Sequence, residues 1–300
     1  MLLEHISCDL CGSNTYRVRY RKPDNWLRRT LFQFPVVECL ECSLVYVNPR
    51  PTIESMRAFY PGDYHSNRDT DEHIQRYKVQ ASMLPGIENG KVLDIGCANG
   101  DFLGYLLDQG SDFEAYGIDA LSESVGNTRI QFKKSVLTDA GYPDNYFDFV
   151  MAWAVFEHLH HPKQYFEEVS RILKPGKQLL ILVTNSESIY GRYAGTEDVP
   201  RHTYHFSRKT LSRYGRESGL RLSELIFNDD IFDGRGMGLF GKALSRLVGL
   251  TWEVEMLNKQ RFYQRIMGQI GRVIDRVLFG AHWEARLGLS GIMVARFVKD

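Results

Sequence analysis

The sequence predicts an α/β protein on a Rossmann-like, seven-stranded and mostly parallel sheet, with a small metal-stapled module at its N-terminus. Three observations carry that prediction. From residue 91 onward, apolar strand-like runs alternate with helix-like runs, the pattern of a parallel sheet covered on both faces. Lys91-Val-Leu-Asp-Ile-Gly-Cys-Ala-Asn-Gly100 reads as a strand, a glycine turn and a helix start. Two Cys-x-x-Cys pairs, Cys8/Cys11 and Cys39/Cys42, lie ahead of it.

In chain order, residues 1–50 read as two cysteine knuckles joined by short strands at 16–20, 34–38 and 45–47, ending at the turn Asn48-Pro-Arg-Pro51. A segment this small cannot fold on an apolar core alone, so a metal staple makes physical sense. Residues 51–90 read as a helical linker or lid, capped by Thr52 and interrupted by Phe59-Tyr-Pro-Gly-Asp-Tyr64. Residues 91–300 form the main domain. Strands are predicted at 92–95, 114–118, 130–132, 147–155 and 178–183, and helices at 101–109, 121–127 and 162–173, the last stopped by Lys174-Pro-Gly176. A loop follows over 184–206, then a helix opened by Ser207 and closed by Gly219, and a strand at 220–227. The final strand, 290–298, comes after an insertion at about 234–288 with helical periodicity.

Lys+Arg and Asp+Glu are equal at 37 each, so the formal charge is zero. A protein that holds nucleic acid by neutralising phosphates usually carries a basic surplus, so its absence counts against such a partner. The N-terminal Met1-Leu2-Leu3-Glu4-His5 meets charge at once, unlike a secretory leader, and no apolar run reaches the ~18–20 residues of a membrane span. A cytoplasmic location is therefore expected, where paired thiols bind metal more often than they oxidise. Four thiolates from two knuckles complete a tetrahedron without an open position, which predicts a structural Zn2+ held by Cys8, Cys11, Cys39 and Cys42.

In the glycine turn, Asp94 ends the strand and Gly96 and Gly100 let the backbone approach a ligand. The spacing is Asp-x-Gly-x-x-x-Gly, not the dinucleotide fingerprint. A carboxylate there repels a pyrophosphate but accepts a hydrogen bond from a cationic amino-acid group. A second acid, Asp119 in Tyr116-Gly-Ile-Asp119, ends the next strand, where such an acid grips ribose hydroxyls. The plainer reading of Asp119 is a helix cap.

With Pro143-Asp-Asn-Tyr-Phe-Asp-Phe-Val150, Glu157-His158-Leu159 and Leu173-Lys-Pro-Gly176, this ordered set resembles the class I S-adenosylmethionine-dependent methyltransferases over roughly residues 75–228. The resemblance implies a seven-stranded sheet whose last strand is antiparallel. It further implies that Asp94 and the Gly96–Gly100 turn, with Cys97 inside it, lie beside the methionine part of the cofactor. Asp119 would hold the ribose, Leu137 within 136–138 would line the adenine, and Trp153 would border the methionine and the acceptor. Cys97 is expected to pack rather than react, since no activating histidine stands nearby in sequence. The cysteine head running into Leu44-Val-Tyr-Val-Asn-Pro-Arg-Pro51, and the later Asp198-Val-Pro-Arg-His-Thr-Tyr-His-Phe-Ser207, are similar to a bacterial branch associated with sugar, polysaccharide and secondary-metabolite modification.

Methyl transfer from a sulfonium asks the protein chiefly to place the acceptor and remove its proton. The loop after the fifth strand faces the carboxyl ends of the strands, where ligands bind in open α/β sheets. There His202 and His205 are candidate bases, Tyr204 could orient the acceptor, and Arg201 could hold a phosphate or carboxylate. The alternative is that these residues order the loop. His158 is a further candidate on the active face, whereas His160 and His161 read as solvated. In the insertion, Phe262, Ile266, Ile270, Val273, Ile274 and Val277 recur at helical spacing with Arg261, Arg265, Arg272 and Arg276 on other faces, which suits packing, a dimer face or peripheral membrane contact. The expected protein is a methyltransferase, monomeric or homodimeric, of a small-molecule or glycan-type acceptor, most simply at oxygen. The alternative is an RNA methyltransferase with the cysteine head as RNA reader.

Overall fold

The computed structural model describes residues 1–24, 30–60, 70–87, 89–189, 198–228, 231, 239–240, 243–244, 261–280 and 282–300. Residues 61–64 of the predicted interruption and most of 234–260 lie outside them, as do the side chains of Arg261, Phe262 and Arg265.

The head contains β1 (Leu3–Glu4), β2 (Tyr16–Lys22), β3 (Phe34–Cys39), β4 (Val45–Val47) and β5 (Arg50–Pro51). Strands β2, β3 and β4 form an antiparallel meander, and β1 pairs with β5. Helix α1 (Ile53–Met56) starts on the predicted cap, the Thr52 side chain accepting the Ser55 N–H, and α2 (Thr70–Ser82) leads to the main domain.

The main sheet is built from β6 (Lys91–Ile95), α3 (Asp101–Asp108), β7 (Glu114–Asp119), β8 (Ile130–Lys134), β9 (Phe147–Trp153), α4 (Pro162–Ile172) and β10 (Leu173–Thr184). The short β11 (Tyr204–His205), α5 (Arg208–Glu217), β12 (Leu220–Ile226), α6 (Arg261–Phe279), α7 (Trp283–Arg286) and β13 (Ile292–Lys299) complete it. Its seven strands run in the order β12-β13-β10-β9-β6-β7-β8. The four pairings within β6–β10 are parallel, while β13 is antiparallel to both neighbours, as the resemblance implies. Central strands are buried almost throughout, because helices cover both faces and leave no alternating solvent side.

Two local predictions fail for physical reasons, and a third is refined. No helix forms at 121–127. The Asp119 carboxylate accepts the Leu121 and Ser122 N–H groups, which turns the chain locally, and Ser124, Gly126 and Asn127 offer little helical propensity to resist it. The predicted stop at Lys174-Pro-Gly176 holds, with α4 ending at Ile172, and the turn itself is a register shift inside β10, between Leu173 and Gln178, with Gly176 at φ 73°. The loop at 184–206 contains β11, and β11 belongs to the head: Tyr204 pairs with Tyr46 and His205 with Val45.

The predicted boundary near residue 50 therefore divides the sequence but not the packing. Cys8, Leu10, Val37, Leu44 and Tyr46 share one apolar cluster with Phe166, Phe206, Leu211 and Tyr214. Asp9, inside the first knuckle, accepts the Lys163 N–H in the first turn of α4 (3.0 Å) and the Tyr214 hydroxyl (2.9 Å). Helix α5 opens with Ser207 and Thr210 in a reciprocal capping box, which fixes the chain just after β11. In α6, the buried positions are Gly271, Asp275 and Phe279, with Asp275 accepting the Phe240 N–H. Val273 and Val277, part of the predicted apolar recurrence, are exposed, Val277 by 77%.

Candidate functional site

At the carboxyl end of β6 the chain turns through Gly96 (φ 71°), Ala98 (φ 50°) and Gly100 (φ 77°). A Cβ at Gly96 would lie 2.5 Å from Val155 Cγ2, and one at Gly100 would lie 2.9 Å from Ile130 Cδ1, so both positions need glycine for space as well as for φ. Asp119 straps this turn to the next one. Its Oδ2 accepts the Ala98 N–H at 3.0 Å, and its Oδ1 accepts Leu121 and Ser122 N–H at 2.7 and 2.9 Å.

Asp94 is almost wholly buried, and its Oδ1 has no hydrogen-bond partner among the described residues. Burial, reinforced by the neighbouring Asp119 charge, pushes its carboxyl well above the usual carboxylate range. The Trp153 indole N–H is also buried without a partner among the described residues, while the ring meets Phe102 edge-on at 5.5 Å. Leu137 is buried in a single 3-10 turn after β8. Cys97 packs its sulfur where a Gly117 Cβ would stand, at 2.7 Å. Burial, then Asp94 and Asp119, pushes its thiol up, the opposite of an activated nucleophile.

In the head, the four sulfurs of Cys8, Cys11, Cys39 and Cys42 lie within 4.8 Å of one another, the closest pairs at 3.4 and 3.5 Å. Both knuckles fold alike: Gly12 N–H reaches Cys8 C=O and Ser43 N–H reaches Cys39 C=O, with Gly12 and Ser43 at φ 75° and 66°. Burial raises the Cys8 thiol, and raises Cys42 to about 11. At Cys39 the N–H groups of Cys42 and Glu41 outweigh burial and lower it. Converging sulfurs with no disulfide among them suit a tetrahedral zinc ion, whose charge would stabilise the thiolates.

The third cluster is the histidine side. Glu157 and His158 sit in the 3-10 turn after β9, and His202 and His205 come from the loop that β11 ties to the head. The His158 and His202 rings meet edge-to-face at 4.6 Å, and His202 and His205 lie 6.5 Å apart. Burial pushes His158 down to about 4 and His202 well below the imidazole range, the latter helped by His158, His205, Arg201 and Lys22. Both rings are therefore neutral at pH 7. Glu157, 1% exposed, is raised by burial to about 8.

Two residues near these rings are committed to structure. Arg201 is fully buried, donating to the Asp198 carboxylate and to Phe59 C=O and lying 3.7 Å from Asp24, so its guanidinium is not free for an acceptor phosphate. The Tyr204 hydroxyl sits between Arg50 Nη1 (3.1 Å) and His160 C=O (3.2 Å), and its ring stacks on Tyr46. His160, expected in solvent, contacts Pro51 C=O through Nε2 at 3.1 Å. Sequence reasoning did not single out Arg50, buried on Glu4, His160 C=O and Tyr204, or Tyr60, whose hydroxyl meets His158 Nδ1 at 3.1 Å. Glu4 lies 46 residues from Arg50, and the other partners lie 98 to 154 residues away, so no local signal exists.

A family profile described as a methyltransferase domain matches residues 66–225. The chain belongs to that methyltransferase family. The sheet order above is that of the class I S-adenosylmethionine-dependent methyltransferase fold. This methyltransferase is 25% identical over 51% of its length to the mitochondrial ubiquinone biosynthesis O-methyltransferase of Dictyostelium discoideum, covering 58% of that protein. It is 34% identical over 35% of its length to the ubiquinone/menaquinone biosynthesis C-methyltransferase UbiE of Burkholderia mallei, covering 46%. The chain thus spans about half the length of these curated relatives. Among solved structures, a chain from the complex of the Haloferax volcanii Trm112 methyltransferase activator with a methyltransferase superposes with a TM-score of 0.53, at 18% identity, over 76% of this chain and 91% of that one. That likeness concerns the fold. Among the described residues no helix is long and apolar enough to cross a membrane.

Proposed function

We propose that this methyltransferase acts on a small-molecule or glycan-type acceptor, at a hydroxyl oxygen, with a histidine from the His158–His202–His205 cluster taking the proton. The observation that carries this reading is the gathering of three imidazoles, two of them held neutral, on the strand-end side where acceptors meet the cofactor in such sheets. S-adenosylmethionine, when bound, supplies an already activated methyl group.

The residues present fit that cofactor. Asp94, buried with an unpartnered oxygen, would receive its ammonium group, and the cationic partner would return the carboxyl to its ionised form. The Gly96–Gly100 turn gives the methionine part a close backbone, and Asp119 would take the ribose hydroxyls with the lone pairs its three N–H contacts leave. Leu137 would line the adenine, and Trp153 and Cys97 would shape the methionine side. In the transfer, the acceptor oxygen gives its proton to the imidazole and forms the C–O bond. The methyl group would come from the bound sulfonium, whose sulfur would keep the electron pair of the C–S bond. His205 and His202 are the proposed bases; Tyr204 contributes by fixing β11.

The head is proposed to hold a structural zinc ion at Cys8, Cys11, Cys39 and Cys42, and to belong to the sugar, polysaccharide and secondary-metabolite branch. An RNA acceptor draws no support from the overall charge, since Lys+Arg and Asp+Glu are equal at 37 each, and in the head Arg17 and Arg19 both lie against Glu38. The test is transfer of a labelled methyl group to fractionated bacterial extract. Label in nucleotide-sugar, glycolipid or small-metabolite fractions is expected. Label confined to RNA would overturn the acceptor assignment.

A further inference from the structure

Glu157, His158 and His202 each present one ligand atom, and the three atoms lie within 4.8 Å of one another. Two come from a single turn after β9 and the third from the loop ahead of β11, so the grouping is a product of the fold. Glu157 is the anomaly that calls for an explanation. Its Oε2 is buried and has no hydrogen-bond partner among the described residues, an arrangement that native proteins rarely leave in place. The backbone beneath it is rigid: the Thr203 hydroxyl bridges Glu157 C=O and Leu159 C=O at 3.1 and 2.7 Å.

We propose that Glu157, His158 and His202 form a second metal site of this protein, for a divalent transition-metal ion whose open positions take the acceptor oxygen. Two imidazoles and one carboxylate suit zinc, cobalt, iron or manganese, whereas magnesium and calcium favour oxygen ligands. The Tyr60 hydroxyl at His158 Nδ1 is the outer contact that metal-bound imidazoles use to fix ring orientation. At His202 the Asp198 N–H approaches Nδ1 at 3.3 Å, and metal binding must re-make this long contact. Three protein ligands leave coordination positions open, unlike the closed set of four sulfurs in the head. A dication there lowers the pKa of a coordinated hydroxyl, and with His158 and His202 serving as ligands, His205 remains as base. The catalytic part of this inference rests on the reading of the histidine side as the acceptor side; the binding part does not.

The experiment uses the full chain with its cysteine head saturated by zinc. Co2+ is then titrated in by calorimetry and visible absorption, with neither acceptor nor cofactor present. Uptake of about one further Co2+ per chain is expected, with nitrogen/oxygen-type bands and no thiolate charge-transfer band. Glu157→Gln and His202→Ala should each weaken that uptake by at least about tenfold. Thermal melts and cofactor affinity of each variant establish that it is folded. No uptake beyond the zinc-filled head, or equal uptake in both folded variants, overturns the site. Co2+ uptake without methyl transfer to any acceptor would leave the metal site standing and sink the functional reading instead.

Discussion

The proposed cofactor side draws Asp94, Gly96, Gly100 and Asp119 from one continuous strand–turn–helix–strand stretch, whereas the histidine side collects Tyr60, Glu157, His158, His202 and His205 from three separate ones. The first is held by hydrogen bonds among near neighbours, such as Asp119 to Ala98, Leu121 and Ser122. The second is held from outside, by β11 pairing with β4, by Arg50 on Tyr204 and by Arg201 on Phe59. A common donor needs only a local grip, while the acceptor wall is assembled from whatever the head and the long loop bring together. The cysteine head is, on this comparison, a supporting wall of the proposed acceptor side.

The largest effect should follow from breaking that wall. Removing the metal with a chelator, or substituting Cys39→Ser, should lower Tm by about 10 °C or more or abolish cooperative unfolding, because the head shares its core with α4 and α5. An unchanged melt would mean the head is a detachable appendage. Next in size, Asp119→Ala should weaken S-adenosylmethionine binding by about a hundredfold through loss of charge-assisted hydrogen bonds, as read by calorimetry. Affinity within a few-fold of wild type would move the ribose contact elsewhere.

Arg50→Met should cost about 2–3 kcal/mol in chemical denaturation, since it strips a buried donor from Tyr204 and His160 C=O. It should depress methyl transfer more than cofactor affinity. Equal losses in both would erase the distinction between the two sides.

The smallest effect lies away from both sides, at the amino ends of β6 and β9. Burial would raise the Asp148 carboxyl, but Lys174 and the Lys91 N–H outweigh it and hold the pKa below the ordinary value. A depressed carboxylate stabilises the fold above its unfolded pKa, and the contribution fades as pH falls through the folded value. Asp148→Asn should therefore cost about 1 kcal/mol at pH 7 and progressively less below about pH 4. A pH-independent difference would assign the effect to packing.

This contrast also explains what the sequence could and could not convey. The glycine turn, with Asp94 and Asp119 near the ends of β6 and β7, was legible because it is packed into one periodic stretch, and the antiparallel last strand came with the resemblance. The cysteine spacing foretold that four sulfurs converge. Helix 121–127 failed because one carboxylate captured two backbone N–H groups, which apolar periodicity does not register. Arg201 and Tyr204 looked like ligand-binding groups because their type suggests it, yet their partners Asp24, Phe59, Arg50 and His160 lie far along the chain. Strand β11 is two residues long and pairs across about 160 positions, beyond the reach of any pattern within a window.

The most direct measurement of the central claim is a parallel titration and turnover assay on His205→Gln. Calorimetry would give S-adenosylmethionine affinity, and labelled-methyl transfer to the responsive extract fraction would give rate. Unchanged affinity with transfer reduced about a hundredfold is the expected result, because a base acts on the acceptor and not on the donor. Unchanged transfer, or a matching loss of cofactor affinity, would contradict the separation of the two sides.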